Sequence, residues 1–419
     1  MSTLDLEKQR RFALEVVAQL RRAGHEAYWA GGCVRDQLLG RVPKDYDVAT
    51  AAAPEQVREL FGHRRTLAVG AAFGVICVLG PRDAGQVEVT TFRRDAPYSD
   101  GRHPDRVVFS SAQEDASRRD FTVNGLFYDP AEERVIDFVD GQEDIRRRVI
   151  RAIGRPEERF AEDKLRMLRA VRFAATFGFA LDEATRATIA GMAAEIAVVS
   201  AERIAMEMRR MLEEAGRAGA VRMLLDTGLA QAILPEIVPN GFASQQKLAE
   251  SLSVLERLAQ PGFPLALAAL LGDMTDAEGA VKIGRRWRLA NKEIERTEWL
   301  LAHRQSLQGA RTRLWSIVQP IVVAPGIDDL LAWHEATIAV AGGDASDAAW
   351  CRSLLAQPRD VLDPPPLVSG DDLLQMKIPS GPLFRKLLDE VRSAQLDGRI
   401  HDKQEATALV EAMHRNSQP

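Results

Sequence analysis

The chain has 419 residues, of which 46% are hydrophobic and 27% charged, and its formal net charge is −5. Because single hydrophobic cores rarely grow beyond about 250–300 residues, we expect several domains. The three cysteines, Cys33, Cys77 and Cys351, are too few and too scattered for a disulfide framework or a zinc site. No structural metal is therefore expected.

The hydropathy pattern indicates neither a membrane protein nor a secreted one. The first 17 residues, MSTLDLEKQRRFALEVV, follow an amphipathic helix pattern rather than that of a signal peptide. Spanning a bilayer takes about 20 apolar residues, and the longest apolar run, PLALAALLG at 264–272, is shorter and predicts a buried helix. We expect a cytoplasmic protein with no membrane association, and no feature of the sequence indicates a protein partner.

The secondary-structure pattern changes once along the chain. Residues 25–140 alternate strand-like runs with helices, whereas from about Pro156 onward the pattern is helical. This order predicts an α+β fold, with a mixed-sheet head followed by an all-α remainder. The predicted strands are EAYWA (26–30), DYDVAT (45–50), GVICVLG (74–80), QVEVTTF (86–92), DRVVFS (105–110) and ERVIDFV (133–139).

The run YWAGGCVRDQLLGRVPKDYDVAT, residues 28–50, combines a glycine turn with two aspartates. Gly31 and Gly32 permit a tight turn whose backbone N–H groups can approach an anion. The helix that follows favours a triphosphate at its N-terminus, and Arg35 adds a fixed positive charge there. In an extended strand, residues i and i+2 share a face, so Asp45 and Asp47 are predicted to converge and to ligate Mg²⁺. Together these features predict a nucleotidyl-transfer site.

Three further segments contain candidate site residues. In QVEVTTF, alternation places Glu88 on the face opposite Val87 and Val89, where it can supply a third carboxylate to the metal pair if the two strands are neighbours. In SRRDFTVNGLFYD (117–129), Asp120 is a possible helix cap next to Arg119. The polar loop RRDAPYSDGRHPD, 93–105, is long enough to suggest a functional role.

The segment EDKLRMLRAVRF, 162–173, predicts a helix with a stripe of arginines. Arg166, Arg169 and Arg172 span about 120° of one face at 3.6 residues per turn. Asp163 lies three residues before Arg166, which makes them neighbours on a helix. A carboxylate acceptor beside an arginine donor complements the Watson–Crick edges of cytosine and adenine and discriminates against uracil and guanine. A solvated surface helix would show the same pattern.

Later segments contain fewer signals. In SAERIAMEMRRML, 200–212, a Ser200 N-cap and a surface pair between Arg203 and Glu207 are a sufficient account, and we assign no catalytic role there. Pro364 to Pro366 predict a stiff linker, after which Gly370 and Gly381 each precede a helix.

These motifs, in this order, resemble the class II tRNA nucleotidyltransferases and bacterial poly(A) polymerases of the polymerase β superfamily. The resemblance covers roughly residues 25–235 and is looser beyond. It implies that Arg119 faces the triphosphate and Asp120 the ribose hydroxyl. It also implies that Asp163 and Arg166 act as a protein template for the base, with Arg169 and Arg172 toward the phosphates or the incoming strand, and that the 93–105 loop takes part in A addition.

The resemblance implies addition of CMP and AMP from CTP and ATP to the 3′ end of tRNA, with Mg²⁺ at the site. Three alternatives stay open: an A-adding enzyme that works with a CC-adding partner, a bacterial poly(A) polymerase, and a non-catalytic RNA-binding protein. Poly(A) polymerases usually have basic extensions and a GRRF-like element, which here reads HRRTLAVGAAFGVICVLG. The expected domains are a head (1–148), neck (149–238), body (239–363) and tail (364–419), with the tail holding the tRNA body.

Overall fold

A computed structural model describes residues 5–70, 73–95 and 107–416. The chain forms two compact units, Met1–Val238 and Pro239–Pro419. The first combines a mixed sheet with helices and the second is helical, which confirms the predicted fold class. Within the described ranges, no helix is both long and apolar enough to cross a bilayer.

The strands lie almost entirely in the head of the first unit. Seven of them form one sheet in the order β3-β4-β5-β2-β1-β8-β9, in which only the β2–β5 pair is parallel. Every run predicted as a strand contains one, and five strands, β3, β6, β8, β10 and β11, were not predicted. The strands are β1 (Ala27–Ala30), β2 (Asp47–Thr50), β3 (Thr66–Gly70), β4 (Val75–Leu79), β5 (Gln86–Thr91), β6 (Arg93–Asp95), β7 (Val107–Phe109), β8 (Phe127–Asp129), β9 (Arg134–Ile136), β10 (Val149–Ile150) and β11 (Ala180–Leu181).

The two faces of this sheet differ in burial, as the alternation of apolar and polar residues in β5 predicts. Val87 and Val89 are buried, whereas Glu88 between them is exposed on the opposite face. The first helix, Leu6–Arg22, packs against the sheet through an apolar face that includes Phe12 and Leu20. Burying each such side chain contributes about 1.5–3 kcal/mol. One face is therefore closed by packing and the other stays available for a site.

Helices complete the first unit. In the predicted neck, the helix beginning at Leu165 packs against the helices beginning at Ala201 and Arg217. The helices of this unit are α1 (Leu6–Arg22), α2 (Gly32–Leu38), α3 (Pro54–Phe61), α4 (Ala112–Ser117), α5 (Gly141–Arg147), α6 (Pro156–Glu162), α7 (Leu165–Phe177), α8 (Glu183–Met192), α9 (Ala201–Glu213), α10 (Arg217–Asp226) and α11 (Leu229–Ile233).

The second unit is built around a short apolar helix. Its α13 is buried along its length, from Phe263 through Leu271, which confirms the prediction for PLALAALLG. A separate apolar cluster near the C-terminus includes Leu373, Leu387 and Val410. The helices are α12 (Phe242–Arg257), α13 (Phe263–Leu271), α14 (Ala277–Arg286), α15 (Asn291–His303), α16 (Trp315–Val322), α17 (Ile327–Ala341), α18 (Ser346–Leu355), α19 (Arg359–Leu362), α20 (Gly370–Gln375), α21 (Pro382–Leu396) and α22 (Lys403–Asn416).

Candidate active site

Two carboxylates lie side by side at the open face of the head sheet. The parallel pairing of β2 with β5 sets Asp47 directly opposite Glu88. Asp45 precedes the first residue of β2 and is exposed, so the expectation that both aspartates project from one strand is wrong: the strand contains only Asp47. Asp45 is nevertheless near enough for its charge to act on Asp47.

Asp47 is partly buried and surrounded by negative charge. Loss of solvent, together with the charges of Asp45 and Glu88, raises the pKa of Asp47 to about 7, and the guanidinium of Arg119 opposes this effect. A carboxylate that gives up hydration beside two others is stabilised by a cation. Asp47 therefore has the electrostatic surroundings of a metal ligand.

The glycine turn lies next to these carboxylates. Gly31 has φ +73°, in the region that favours glycine, and an added Cβ would lie 2.9 Å from Nη1 of Arg119. Helix α2 begins at Gly32, and both glycines line the cavity, while their contact with a triphosphate stays a prediction.

Arg35 lines the cavity, but its guanidinium already donates hydrogen bonds to neighbouring side chains. Its Nη1 donates to Oδ1 of Asn124 at 2.5 Å, and its Nε and Nη2 donate to Oδ1 of Asp36 at 2.9 and 2.8 Å. Its Cζ lies 4.4 Å from the ring centroid of Phe177 in α7. Arg35 thus connects the head to the neck helix, and its contact with phosphate stays a prediction.

Arg118 and Arg119 form a basic wall of the cavity, and both are held by Asp115 of α4. Oδ1 of Asp115 accepts from Nε of Arg118 at 2.9 Å, and Oδ2 accepts from Nη2 of Arg119 at 3.0 Å. The Asp115 side chain is fully buried. Although burial alone would raise it, the two guanidinium groups hold the pKa of Asp115 below its ordinary range.

Asp120 is fully engaged by hydrogen bonds. Its Oδ1 accepts from the backbone N–H of Phe121 at 2.8 Å and from Nδ2 of Asn124 at 3.0 Å, while its Oδ2 accepts from Nε and Nη2 of Arg169 at 2.9 and 2.5 Å. Burial opposes ionisation, but Arg169 and these hydrogen bonds lower the pKa of Asp120 to about 2. A ribose hydroxyl would have to share or displace one of these donors.

The neck also lines the cavity, with a geometry that differs from the predicted helix stripe. Asp163 is not on a helix with Arg166: it ends α6 in an extended conformation, φ −148°, and its Oδ1 accepts from the N–H of Leu165 at 3.0 Å. Its Oδ2 accepts from Nη2 of Arg203 at 2.8 Å. Arg166 instead donates to Oε2 of Glu162 at 2.5 Å. Asp163, Arg166 and Arg203 all line the cavity.

Arg172 does not line the cavity, and its expected contact with phosphates or an incoming strand stays a prediction. Its Nε donates to Oε2 of Glu207 at 2.5 Å, and its Cζ lies 4.0 Å from the ring centroid of Phe173. Glu207 is only 3% exposed, so the predicted surface pair of Glu207 with Arg203 is wrong. The segment does form a helix, α7, as its periodicity predicts. Glu207 on α9, however, draws the Arg172 side chain into the packing between the two helices.

These walls enclose a cavity of about 630 Å³ in the first unit. Its lining includes the Gly31–Gly32 turn, the Asp47–Glu88 pair, the Arg118–Asp120 segment and the neck residues Asp163, Arg166, Arg169 and Arg203. The predicted loop after Phe92 lies mostly outside the described residues, and only its first three residues, in β6, are placed. A volume of this size accommodates a nucleoside triphosphate.

Two residues that the sequence reading passed over belong to this site. Asp115 stands three and four positions before Arg118 and Arg119, the spacing of side-chain neighbours on a helix, which is a usable signal. Arg203 is 40 residues from Asp163, its carboxylate partner. No local pattern indicates that contact, because it depends on how the neck packs α9, which contains Arg203, beside the end of α6, where Asp163 lies.

Similarity to known proteins is extensive. Residues 27–151 match the family described as the poly A polymerase head domain, and residues 178–240 match the one described as the probable RNA and SrmB-binding site of polymerase A. A crystal structure of the CCA-adding enzyme of Bacillus stearothermophilus in complex with CTP superposes with a TM-score of 0.78 at 30% identity, covering 97% of this chain and 98% of that one. The CCA-adding enzyme of Thermotoga maritima complexed with tRNA, at 20% identity and a TM-score of 0.65, shows the same fold over 96% and 95% of the two chains.

Sequence relatives cover nearly the whole chain. The CCA-adding enzyme of Geobacillus kaustophilus is 35% identical over 404 residues, which are 94% of each chain. That of Geobacillus stearothermophilus is 34% identical over 407 residues, again 94% of each. The chain therefore belongs to the class II CCA-adding enzymes, a family of tRNA nucleotidyltransferases.

Proposed function

We propose that this protein transfers CMP and AMP from CTP and ATP to the 3′ end of tRNA, building or repairing CCA without a nucleic-acid template. The main support is that a single cavity is lined by three groups of residues. They are the sheet carboxylates Asp47 and Glu88, the basic wall of Arg118 and Arg119, and the neck residues Asp163, Arg166 and Arg203. The first two supply the chemistry at phosphorus, and the third supplies base choice. Relatives named for this activity over nearly the full length support the proposal. The proposed location is the cytoplasm.

Nucleotidyltransferases of this family typically depend on a metal ion, and we propose Mg²⁺ held by Asp45 and Asp47, with Glu88 beside them. Within the described ranges no group of three acidic, histidine or cysteine side chains could hold a metal by itself. Proteins commonly bind Mg²⁺ through one or two carboxylates together with substrate phosphates, and the support for this assignment is Asp47, whose carboxylate loses hydration beside the charges of Asp45 and Glu88. When bound, the ions would lower the pKa of the attacking hydroxyl and neutralise the leaving pyrophosphate.

The protein's own contribution is position and charge. The N–H of Gly31 donates to the carbonyl of Leu126 at 3.0 Å, so the N–H groups available on the phosphate side are those of the first turn of α2, which begins at Gly32. Arg119 lies against Gly31. Arg118 lines the same side of the cavity. Preorganised donors at a transferring phosphoryl group stabilise the charge that develops there, and little other protein chemistry is needed for this reaction class. No separate protein general base is required.

We propose that base choice rests on Asp163, Arg166 and Arg203 together. A carboxylate that accepts from the exocyclic amino group and a guanidinium that donates to the ring nitrogen complement both cytosine and adenine. Arg203 already holds one oxygen of Asp163, leaving the other oriented by the N–H of Leu165. The neck helices would thus hold the template carboxylate in one orientation in the absence of nucleotide.

We propose that each of the four expected domains has its own role. The head, 1–148, would perform the chemistry, and the neck, 149–238, would select the base. The body, 239–363, and the tail, 364–419, would hold the tRNA body. Deleting 364–419 is expected to raise the KM for tRNA while leaving the KM for CTP unchanged, and an unchanged KM for tRNA would refute the assignment of the tail.

The test of the function uses purified protein with Mg²⁺ and three tRNA substrates, ending before CCA, in C, or in CC, each given CTP, ATP or both. Extension of all three to CCA, followed by a stop, is the expected result. Activity on the CC-ended tRNA alone would identify an A-adding enzyme, and open-ended tails would identify a poly(A) polymerase. RNA binding without incorporation would identify a non-catalytic RNA-binding protein.

Base choice has its own test. Arg203→Ala releases Asp163, so discrimination against UTP is expected to fall by about tenfold, the worth of one lost hydrogen bond to a charged group of about 1.5 kcal/mol. Arg210→Ala is the matched control, because Arg210 lies on the same helix, is half exposed and lies 3.5 Å from its carboxylate partner. Unchanged UTP discrimination in Arg203→Ala would refute the assigned role.

A further inference from the structure

We propose that Asp115 is a positioning residue for the triphosphate: one buried carboxylate holds Arg118 and Arg119 in fixed orientations at the phosphate side of the cavity. The inference rests on the proposed function, since it concerns how the same nucleotide is held. It assigns a role to a residue that does not line the cavity and does not touch the reacting atoms.

The geometry at Asp115 divides the carboxylate between two guanidinium groups. Oδ1 accepts from Nε of Arg118 at 2.9 Å and lies 2.7 Å from its Nη2, while Oδ2 accepts from Nε and Nη2 of Arg119 at 3.3 and 3.0 Å. Such two-nitrogen contacts fix the plane of a guanidinium as well as its distance. Both arginines therefore have a defined orientation at a single anchor.

The anchor itself is rigid. Asp115 is fully buried, and its Oδ1 also accepts from the backbone N–H of Arg93 at 3.3 Å, at the start of β6. Ser111 caps α4 through the N–H of Glu114 at 3.3 Å, which places the helix that carries Asp115. The carboxylate is thus tied to two elements of the head, whereas the side chains of Arg118 and Arg119 are 17% and 18% exposed toward the cavity.

Arg119 lies beside the glycine turn, where it could contact the phosphates of a bound nucleotide. Its Nη1 donates to the carbonyl of Asn124 at 3.3 Å and lies 2.9 Å from where a Cβ on Gly31 would be. Its Cζ is 5.0 Å from the ring centroid of Phe127, and its charge acts on Asp47. The guanidinium therefore lies against the glycine turn in the cavity that Asp47 also lines, and Asp115 holds it there.

Charge and position make opposite predictions for Asp115→Asn. The group of Asp115, Arg118 and Arg119 has a net charge of about +1, and the variant would raise it to about +2, which by charge alone would strengthen triphosphate binding. Loss of the anchor releases two flexible side chains, and a misplacement of about 1 Å can cost on the order of a hundredfold in rate. The direction of the change in kcat/KM therefore separates the two effects.

The experiment measures steady-state kinetics of full-length protein with Mg²⁺ and tRNA ending in C or in CC. For Asp115→Asn we expect kcat/KM for CTP and for ATP to fall by similar factors of about 10–100, because the triphosphate is common to both, with the KM for tRNA unchanged. In an Arg118→Ala/Arg119→Ala background, Asp115→Asn should cause no further loss, since Asp115 acts through those two residues. Asp129→Asn is the matched control, a buried head carboxylate that pairs with Arg21 at 2.6 Å away from the cavity.

Several outcomes would overturn the proposal: an unchanged or increased kcat/KM, a loss equal to that of Asp129→Asn, or an additive loss in the double-arginine background. If Asp115→Asn does not fold, the double variant Asp115→Asn/Arg118→Gln is used instead. It replaces one ion pair by a pair of amides, and the neutral amide oxygen at position 115 remains to accept from Arg119. Its kcat/KM should lie about tenfold below that of Arg118→Gln alone, and equality would overturn the proposal. An inactive wild-type protein in the same assay would instead refute the proposed function.

Discussion

Asp47→Asn is expected to make the metal-free protein more stable while abolishing nucleotide transfer. The unfolded chain ionises this carboxyl near its ordinary pKa of 3.8, whereas the folded protein raises its pKa to about 7. Between these values the folded state binds more protons than the unfolded state. Folding stability therefore falls as pH rises from about 4 to about 7, and stays at the lower level above that.

The magnitude follows from the shift. A difference of about three pKa units corresponds to about 4 kcal/mol at 1.36 kcal/mol per unit, which is a ceiling. Asp47 is only partly buried, so water and the effective dielectric reduce the penalty. We expect the uncharged amide to stabilise the protein by about 1–3 kcal/mol at pH 8. For a unit of this size, 2 kcal/mol shifts Tm by about 4–8 °C.

Calorimetry in EDTA at pH 5, 6, 7 and 8 would follow the unfolding of the first unit in wild type, Asp47→Asn and Asp45→Asn. The stabilising effect of Asp47→Asn should grow with pH and level off above about 7. Asp45→Asn removes one of the two neighbouring charges that raise the pKa of Asp47, so it should stabilise the protein in the same direction but by less, because the burial of Asp47 remains. Added Mg²⁺ should raise the Tm of wild type, by mass action on the folded state, and not that of Asp47→Asn.

Two results would refute this reasoning. If Asp47→Asn were less stable than wild type at pH 8 in EDTA, the carboxylate would be contributing hydrogen bonds that outweigh its desolvation. If the difference between the two proteins did not depend on pH, the raised pKa of Asp47 would not be the cause. Retained nucleotide incorporation in Asp45→Ala or Asp47→Ala would refute the metal assignment separately.

Two further substitutions probe the packing around the site. Gly31→Ala should destabilise the protein by about 1–3 kcal/mol, the cost of a strained φ, and should raise the KM for CTP, because the new Cβ would lie 2.9 Å from Nη1 of Arg119; thermal unfolding and nucleotide titration measure these effects. Glu207→Ala leaves Arg172 buried without its carboxylate partner, so urea unfolding should show a loss of about 3–5 kcal/mol.

Each has a control in the same unit. Gly24 has φ +87° with no atom within 4 Å of an added Cβ, so Gly24→Ala reports backbone strain alone and should leave the KM for CTP unchanged. Arg210→Ala removes a half-exposed partner of Glu207 and should cost less than about 1 kcal/mol. Equal KM changes in the two glycine variants, or a negligible loss in Glu207→Ala, would contradict the described contacts.

Much of the head could be predicted because its signals are local. The alternation in QVEVTTF predicted which face Glu88 occupies, and the register of β2 against β5 then set it beside Asp47. Strands β6 and β8 were missed because β6, Arg93–Asp95, has only charged side chains, and β8, Phe127–Asp129, continues an apolar run that resembles a short helix. The extended-strand argument failed for Asp45 because β2 begins only at Asp47.

The arginines of the neck show where sequence reasoning ends. The 3.6-residue period places Arg166, Arg169 and Arg172 near one face of α7, yet each has a different carboxylate partner: Glu162, Asp120 and Glu207. Which partner an arginine meets depends on elements 4 to 49 residues away along the chain. Long flexible side chains take whichever buried carboxylate the packing offers, because an unpaired buried charge is costly.

Local chemistry in the sequence thus determined the sheet carboxylates, the glycine turn, the fold class and the candidate nucleotide site. Such features depend on residues adjacent along the chain, whose geometry the backbone period sets. Tertiary structure alone decided that Arg203 orients Asp163 and that Arg172 pairs with Glu207 in the packing between two helices. Those choices arise when separate helices and strands bury opposite charges against one another, and no spacing within a single segment specifies them.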